Sequence, residues 1–416
     1  MRLLIISHVR PFPGAMGQQL RLRHMLEAAL REFDVDFLTY ASAAYKEEVA
    51  RRLSATGCRP LVLDSRFSRG GIKGFARLLA SGIFVLRTGM KSSNYTIGKI
   101  ELSPARIRQM ADPRHYTAVL YEYFHAVDSV LMFRNAGVPA ILDMHNVLWK
   151  SREQRLKEKT IWPVWLRRAW LNSYRRREES SWDQFDALVA INRTEYDLVN
   201  RRRRPGQELF YAPMGADLAN WPYSWRPASP PRLSYYGALG NPHNREAALR
   251  CHDQIMPRVW KKFPNAELWL VGSGPSEQLR RLASDPRVKV TGYVEGIQDV
   301  LRSMSLVLCP WSGTYGFRSR IVEVMALGVP LVATPSAVDG MELKSGRGII
   351  LAESDDAISQ SAMDLLSEPA QLETQSRLAR AEMERLYDLE KTYSRFMGEL
   401  REWLAGRESH ETVCSA

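Results

Sequence analysis

Arg318, Arg320 and Glu323 stand close together where a short apolar run gives way to a helix. Leu306-Val307-Leu308-Cys309 reads as a buried strand. Pro310 and Gly313 to Gly316 break it, and Ile321, Val322, Met325 and Ala326 share the apolar face of a helix that Gly328 stops. Val329 to Thr334 reads as the next parallel strand, which makes a βαβ unit with a glycine-containing loop before its crossover helix. Free backbone N–H groups, the positive end of the helix dipole and two guanidinium groups then point at one place. That place suits a diphosphate. Glu323, one turn further on, could reach a sugar hydroxyl.

The elements needed to hold such a site occur twice. The first half opens with a strand from Arg2 to Ser7, a loop from Val9 to Gly17 that contains Gly14, a helix from about Gln18 to Arg31 and a strand from Val35 to Thr39. Residues 41–115 read as helical and poorly patterned. Thr117 to Tyr121, Ala140 to Asp143 and Ala187 to Ile191 read as further strands, the last of them closing that half. Pro213 to Asp217 and the Pro/Trp-rich stretch Trp221 to Pro231 read as a linker. The pattern then restarts with a strand from Arg232 to Tyr236, the glycine loop GALGNPHN and a helix from Glu246 to Trp260. Glu267 to Val271 runs into Gly272-Ser273-Gly274, and Val288 to Thr291 runs into Gly292-Tyr293-Val294. The expected architecture is α/β, with two Rossmann-like domains facing each other across a cleft. The boundaries are 1–212 for the first domain, 213–231 for the linker, 232–390 for the second domain and 391–416 for a C-terminal helix and tail.

A chain of 416 residues is too long for one ordinary core, in keeping with two domains. No run approaches the ~20 apolar residues of a membrane span. The N-terminus reads as a first strand rather than a signal peptide. Cys58, Cys251, Cys309 and Cys414 have no metal-ligand spacing and suit free thiols in a reducing cytoplasm. Charge is uneven. Residues 1–205 hold 35 Lys and Arg against 20 Asp and Glu, while the remainder holds 23 against 26. The basic half suits an anionic partner such as a lipid headgroup surface, a lipid diphosphate or nucleic acid, or simply carries solvated charge. RFSRGGIKGFARLLASGIFVLRTGMK is basic and apolar together, as an amphipathic surface helix or a packed insertion would be. RRAWLNSYRRREESSW mixes aromatics with bases, but it fits an ordinary amphipathic helix with a solvated basic face. The nucleic-acid reading rests on charge alone, and no nucleic acid is expected. His8 and His145 each follow a first-half strand and would face the cleft. Glu122, placed two residues into a loop, is a weaker candidate for an acceptor site.

The elements GALGNPHN, ELWLVGSGP, VKVTGYVEGIQDVL and GFRSRIVEVMALGVPLVAT followed by DG resemble, in order and spacing, the family 4 glycosyltransferases. Those are GT-B-fold, retaining enzymes, and the likeness is strongest to their bacterial exopolysaccharide and surface-polysaccharide branch. The loop ending at Gly17, Asp143-Met144-His145-Asn146 and Met214-Gly215-Ala216-Asp217 match as well. The resemblance implies a cytoplasmic hexosyltransferase, peripheral on the inner face of the cell membrane. It would move a sugar from a UDP- or GDP-sugar to a lipid-linked or oligosaccharide acceptor. No cofactor and no Asp-x-Asp metal site are expected, Asp355-Asp356 being adjacent residues in what reads as a tail loop. Arg318, Arg320, Arg245 and backbone N–H groups near Gly17, Gly237, Asn244 and Gly272 would hold the diphosphate, with Gln18 and Arg21 placed to touch phosphate or acceptor. Glu323 would take the ribose, and Gly292-Tyr293-Val294 the base through main-chain contacts. His145 would contact the donor sugar or orient the acceptor. Many members carry a glutamate where this chain has Tyr315, which leaves the sugar contact without an owner. Two other readings share the fold: a nucleotide-sugar 2-epimerase and a non-catalytic nucleotide-sugar-binding protein.

Overall fold

The computed structural model describes residues 1–13, 17–66, 79, 82–83, 86, 98–158, 161–313 and 316–414, with the side chains of 155, 158 and 408–414 excepted. Gly14, Tyr315 and most of the basic, apolar stretch from Arg66 to Lys91 lie outside the described residues.

The chain forms two compact units, Met1–Pro213 with Tyr393–Ala416, and Met214–Thr392. The first is built on seven parallel strands: β1 (Arg2–Ser7), β2 (Asp34–Ala41), β3 (Arg59–Asp64), β4 (Ala118–Glu122), β5 (Ala140–Asp143), β6 (Ala187–Ala190) and β7 (Glu208–Tyr211). They lie in the order β3-β2-β1-β4-β5-β6-β7. Leu3, Leu4, Ile5 and Ile6 of β1 are all fully buried. A parallel strand covered on both faces reads as a continuous apolar run, not as an alternation. The helix Gly17–Glu32 covers one face through Leu22, Met25, Leu26 and Ala29, the i, i+3, i+4, i+7 stripe of an amphipathic helix.

The second unit repeats the plan with six parallel strands: β8 (Arg232–Tyr236), β9 (Glu267–Val271), β10 (Val288–Gly292), β11 (Leu306–Cys309), β12 (Leu331–Ala333) and β13 (Ile349–Leu351). Their order is β10-β9-β8-β11-β12-β13. Both units are therefore doubly wound, with the strand order reversing between β1 and β4 and between β8 and β11.

Several sequence expectations need correction. The stretch 41–115 contains β3, and β6 is followed by β7. Both unexpected strands are sheet edges, where short apolar runs suffice. The doublet Asp355-Asp356 opens the helix Asp355–Ser367 and is not in a loop. Its side chains pair with Arg250 at 2.7 Å and Arg258 at 2.7 Å. An Asp-x-Asp spacing does occur, at Asp34-Val35-Asp36 at the start of β2. Buried Asp36 accepts from Arg2 at 3.1 Å and from the Tyr116 hydroxyl at 2.7 Å, at the end of the sheet away from its C-terminal edge. The Pro/Trp-rich stretch is tied to the second unit. Ser224 N and Trp225 N donate to Leu327 O at 3.1 Å, and Trp225 Nε1 donates to Met304 O at 2.9 Å.

Candidate functional site

In the second unit the chain leaves β8 at Tyr236-Gly237 and β11 at Cys309-Pro310. Ligands of open α/β sheets bind at such a reversal, beyond the C-terminal ends of the strands. A cavity of about 190 Å³ lies there, lined among others by Tyr236, Gly237, Asn244, Trp311, Arg318 and Arg320. The helix Ser319–Ala326 starts at its edge, and the N–H groups of its first turn have no partner within the helix.

Arg320, Glu323 and Tyr236 form one hydrogen-bonded set. Arg320 Nη1 donates to the Tyr236 hydroxyl at 2.5 Å and to Glu323 Oε2 at 2.6 Å. The Tyr236 hydroxyl donates to the same Glu323 oxygen at 2.9 Å. The guanidinium also lies over the Tyr236 ring, 4.8 Å from its centre. Burial works against the Arg320 cation, but Glu323 and Tyr236 beside it hold it above the usual range. Burial, and then Glu323, push the Tyr236 phenol up, so it remains a donor at neutral pH. Tyr236 is the member that sequence reasoning misses. It precedes the glycine loop that draws attention, at the last position of a strand.

The two arginines are used differently. Arg318 donates to Ala337 O and Gly313 O, both at 3.0 Å, and stacks over Trp311 at 4.6 Å. It braces the loop that precedes the helix, while Arg320 faces the cavity with a side chain 44% exposed. Asn244 is likewise a brace: it accepts from the Tyr235 hydroxyl at 2.8 Å and donates to Ala238 O at 3.0 Å, pinning the Gly237 turn. Arg245 is half-buried and its side chain makes no hydrogen bond or ion pair among the described residues. Gly272 is required as glycine: its φ is +144°, and a Cβ there would lie 1.7 Å from Gly237 O. The loops after β8 and β9 are thereby fitted backbone to backbone. Gly292 has φ +71° with open space around it, and Tyr293 is 82% exposed, so it is not a core residue.

The corresponding end of the first sheet is filled with charge. Glu122 is the last residue of β4 and Asp143 the last of β5, paired in register. Glu122 is thus a strand residue, buried, and not the loop residue expected. Arg21 forks onto Asp143, with Nε to Oδ2 at 2.8 Å and Nη2 to Oδ1 at 2.7 Å, and donates from Nη1 to Ala212 O at 2.7 Å. It is 1% exposed and so is a buried structural cation, unavailable to phosphate or acceptor. His145 Nε2 bonds Glu122 Oε2 and lies 3.7 Å from Asp143 Oδ2. Burial pushes the Glu122 carboxyl up, as does Asp143, against the pull of His145. Burial would raise Asp143 too, but Arg21 and His145 outweigh it and keep that carboxyl below the usual range.

Rings close this end of the sheet. Tyr123 stacks on His145 at 4.2 Å, and His8 lies 4.5 Å from His125, with their Nδ1 atoms 3.3 Å apart. Tyr123 (φ 67°) and His145 (φ 54°) both hold backbone conformations that cost non-glycine residues of order 1–3 kcal/mol. Burial, together with His145, lowers His8 to about 4. Burial and both neighbouring histidines lower His125 as well. Gln18, expected near phosphate, accepts from the Tyr123 hydroxyl at 3.2 Å. Gly17 is exposed, as the first residue of its helix. Among the described residues, Glu122, Asp143 and His145 could each turn a ligand atom to a metal, these atoms lying within 4.8 Å of one another. Arg21 already donates to both Asp143 oxygens, so the set is a self-neutralised charge network.

Known proteins resemble this chain in part of its sequence and in its fold. Residues 230–368 match the family model "Glycosyl transferases group 1". The second unit therefore carries a glycosyl transferases group 1 domain, and the architecture of the chain is that of the GT-B glycosyltransferases. Over 139 residues it is 29% identical to a phosphatidyl-myo-inositol mannosyltransferase of Mycobacterium tuberculosis, covering 31% of this chain and 35% of that one. It is 30% identical over 144 residues to a GDP-mannose-dependent monoacylated α-(1-6)-phosphatidylinositol monomannoside mannosyltransferase of Corynebacterium glutamicum, covering 32% and 38%. The match thus spans about a third of the length of these curated relatives. Among solved structures, sucrose-phosphate synthase of Thermosynechococcus elongatus superposes with a TM-score of 0.64 at 16% identity, covering 98% of this chain and 99% of that one. HepE of Anabaena, in complex with UDP-glucose, gives 0.61 at 15% identity over 96% and 99%.

Proposed function

We propose that the protein is a retaining glycosyltransferase that moves a sugar from a UDP- or GDP-sugar to a lipid-linked glycan acceptor in the synthesis of a bacterial surface polysaccharide. The observation that carries this reading is the Tyr236–Arg320–Glu323 set beside a cavity at the switch point of the second sheet.

Departure of a nucleoside diphosphate builds negative charge on its phosphate oxygens. Arg320 and the N–H groups at the start of the helix Ser319–Ala326 supply the opposing charge in a partly desolvated place. Arg245, half-buried in the helix Pro242–Arg250 that follows the Gly237 turn, is the candidate for a second cation. Glu323, held at Oε2 by Arg320 and Tyr236, accepts from a ribose hydroxyl at its other oxygen. By resemblance, attack comes from the same face as departure, and the leaving phosphate takes the acceptor proton, so no separate base is required. His145 belongs to the acceptor or donor-sugar side of the reaction. The relatives named for phosphatidylinositol and the UDP-glucose complex of HepE support a glycolipid acceptor and a nucleotide-sugar donor.

A thermal-shift screen of UDP- and GDP-sugars tests the donor site. A donor present at roughly a hundred times its Kd stabilises by about 2.7 kcal/mol, a shift of several degrees. Arg320→Ala and Glu323→Ala should abolish that shift, and an unchanged shift in both variants would sink the assignment. Product analysis with no acceptor present separates transfer from 2-epimerisation, which would convert the sugar by itself.

A further inference from the structure

We propose that Glu122 is a positioning residue: it holds one proton against His145 Nε2, so that His145 presents Nδ1–H and serves as a hydrogen-bond donor, never as a base. The inference deepens the transferase reading and rests on it only for what that N–H meets.

The His145 ring is fixed from two sides. Tyr123 stacks on it with the two planes 14° apart, and Nε2 is taken by Glu122 Oε2. Nδ1 has no hydrogen-bond partner among the described residues and is the nitrogen left for a ligand. Which nitrogen carries hydrogen is set by the bond that the other one makes.

Counting charges places the protons. Arg21 is 1% exposed, Glu122 2% and His145 5%, and Asp143 is fully buried. The guanidinium forks onto Asp143, and these two neutralise each other. The rings around the set add no charge. His8 and His125 are lowered and the Tyr123 phenol is raised, all chiefly by burial, so each is neutral at neutral pH. The Tyr393 ring lies against the Arg21 guanidinium, 5.8 Å from its centre. Glu122 and His145 must then be neutral as a pair, because an uncompensated buried charge is strongly unfavourable. A carboxylate beside a ring protonated only at Nε2 breaks that rule by one negative charge.

The neutral arrangements differ in where one proton sits. In the first, a carboxylate faces an imidazolium, which carries hydrogen on both nitrogens. In the second, a carboxylic acid donates from Oε2 to a bare Nε2, and the ring hydrogen is on Nδ1. In the third, Nε2–H donates to Oε2 and the acid proton sits on Oε1. That one fails, because Glu122 Oε1 is buried with no hydrogen-bond partner, and an O–H there would donate to nothing. The same orphaned oxygen favours the second over the first, since a buried carbonyl oxygen loses less than an ionised one. Burial, and then Asp143, push the Glu122 carboxyl up, in keeping with this. Both surviving arrangements put hydrogen on Nδ1. His145 therefore has no free lone pair with which to take a proton, and the atom it meets is an acceptor oxygen such as that of a sugar hydroxyl.

The test is NMR of the full chain with histidine labelled on its ring nitrogens, at neutral pH, where protonated and bare nitrogens resonate apart. His145→Gln identifies the His145 signals among those of the eight histidines. In the wild type Nδ1 should be protonated. In Glu122→Gln it should stay so, because the amide donates to Nε2 as the acid does. In Glu122→Ala the proton should move to Nε2, which is left with Asp143 Oδ2, 3.7 Å away. A bare Nδ1 in the wild type or in Glu122→Gln overturns the proposal, and so does an unmoved proton in Glu122→Ala. Should Glu122→Ala fail to fold, the wild type and Glu122→Gln still decide. The thermal-shift screen of UDP- and GDP-sugars tests the transferase reading separately. No shift with any donor while Nδ1 stays protonated would count against that reading and leave the proton where it is assigned.

Discussion

The two sheets reverse strand order in the same way, yet their C-terminal ends are built for opposite purposes. At β1 and β4 the end is closed: Arg21, Asp143, Glu122 and His145 neutralise one another behind a layer of rings. At β8 and β11 the end is open: Arg320 is half-exposed on a cavity, and among the described residues its carboxylate partner is its own neighbour three residues on. One topology thus yields a pre-neutralised end in one unit and, in the other, an end whose cation faces a cavity. What separates them is where the charges find partners. In the first unit partners come from a helix and from strand ends far apart in sequence, and are desolvated together. In the second they are local, and solvent or a phosphate can replace them.

The most direct test of this contrast is to remove the cation from each end. Arg21→Met leaves Asp143 buried without its fork, which should cost about 3–5 kcal/mol. The matching variant at the open end is Arg320→Ala. It should cost less than Arg21→Met, because the Arg320 side chain is 44% exposed and buried Glu323 keeps the Tyr236 hydroxyl as a donor. Urea unfolding of both variants reads the difference. Comparable losses would mean that the two ends are not different in kind.

The same distinction explains what the sequence can reveal. β1 and β11 are legible because burial on both faces leaves unbroken apolar runs, Leu3 to Ile6 and Leu306 to Leu308. β3, β7 and β13 are not: β3 carries Pro60 and charged ends, β7 has only four residues and β13 only three. Arg320 and Glu323 can be named as a site because helical spacing puts them together. Their link through Tyr236, which stands 87 residues from Glu323, cannot. Local pattern points Arg21 at phosphate for the same reason: its partner Asp143 is 122 residues distant, and nothing nearby announces a fork closed across the sheet.

A second, smaller effect belongs to the closed end. His8 is lowered to about 4, and His125 is lowered too, both chiefly by burial. An unfolded histidine takes its proton near pH ~6.5. The unfolded state therefore binds more protons between about pH 6.5 and 4, and stability should be intact above that window and fall as pH drops through it. The slope is at most about 1.4 kcal/mol per pH unit for each histidine. Glu122, raised by burial and Asp143, acts in the opposite direction as pH falls and offsets part of the loss. His8→Phe should flatten the pH profile of the unfolding midpoint, and an unchanged profile would show that His8 does not titrate between the two states.

The smallest expected effect lies at the open end. The Tyr236 hydroxyl bridges Arg320 and Glu323, but those two also touch directly at 2.6 Å. Tyr236→Phe keeps the ring under the guanidinium and removes only the bridge. Donor affinity, measured by titration calorimetry, should weaken about fivefold, the equivalent of one net hydrogen bond of roughly 1 kcal/mol, with no change in the unfolding midpoint. A loss as large as that of Arg320→Ala would mean that the phenol itself meets the diphosphate. No loss at all would mean that the donor releases Arg320 from Tyr236 on binding, so that the bridge exists only while the site waits.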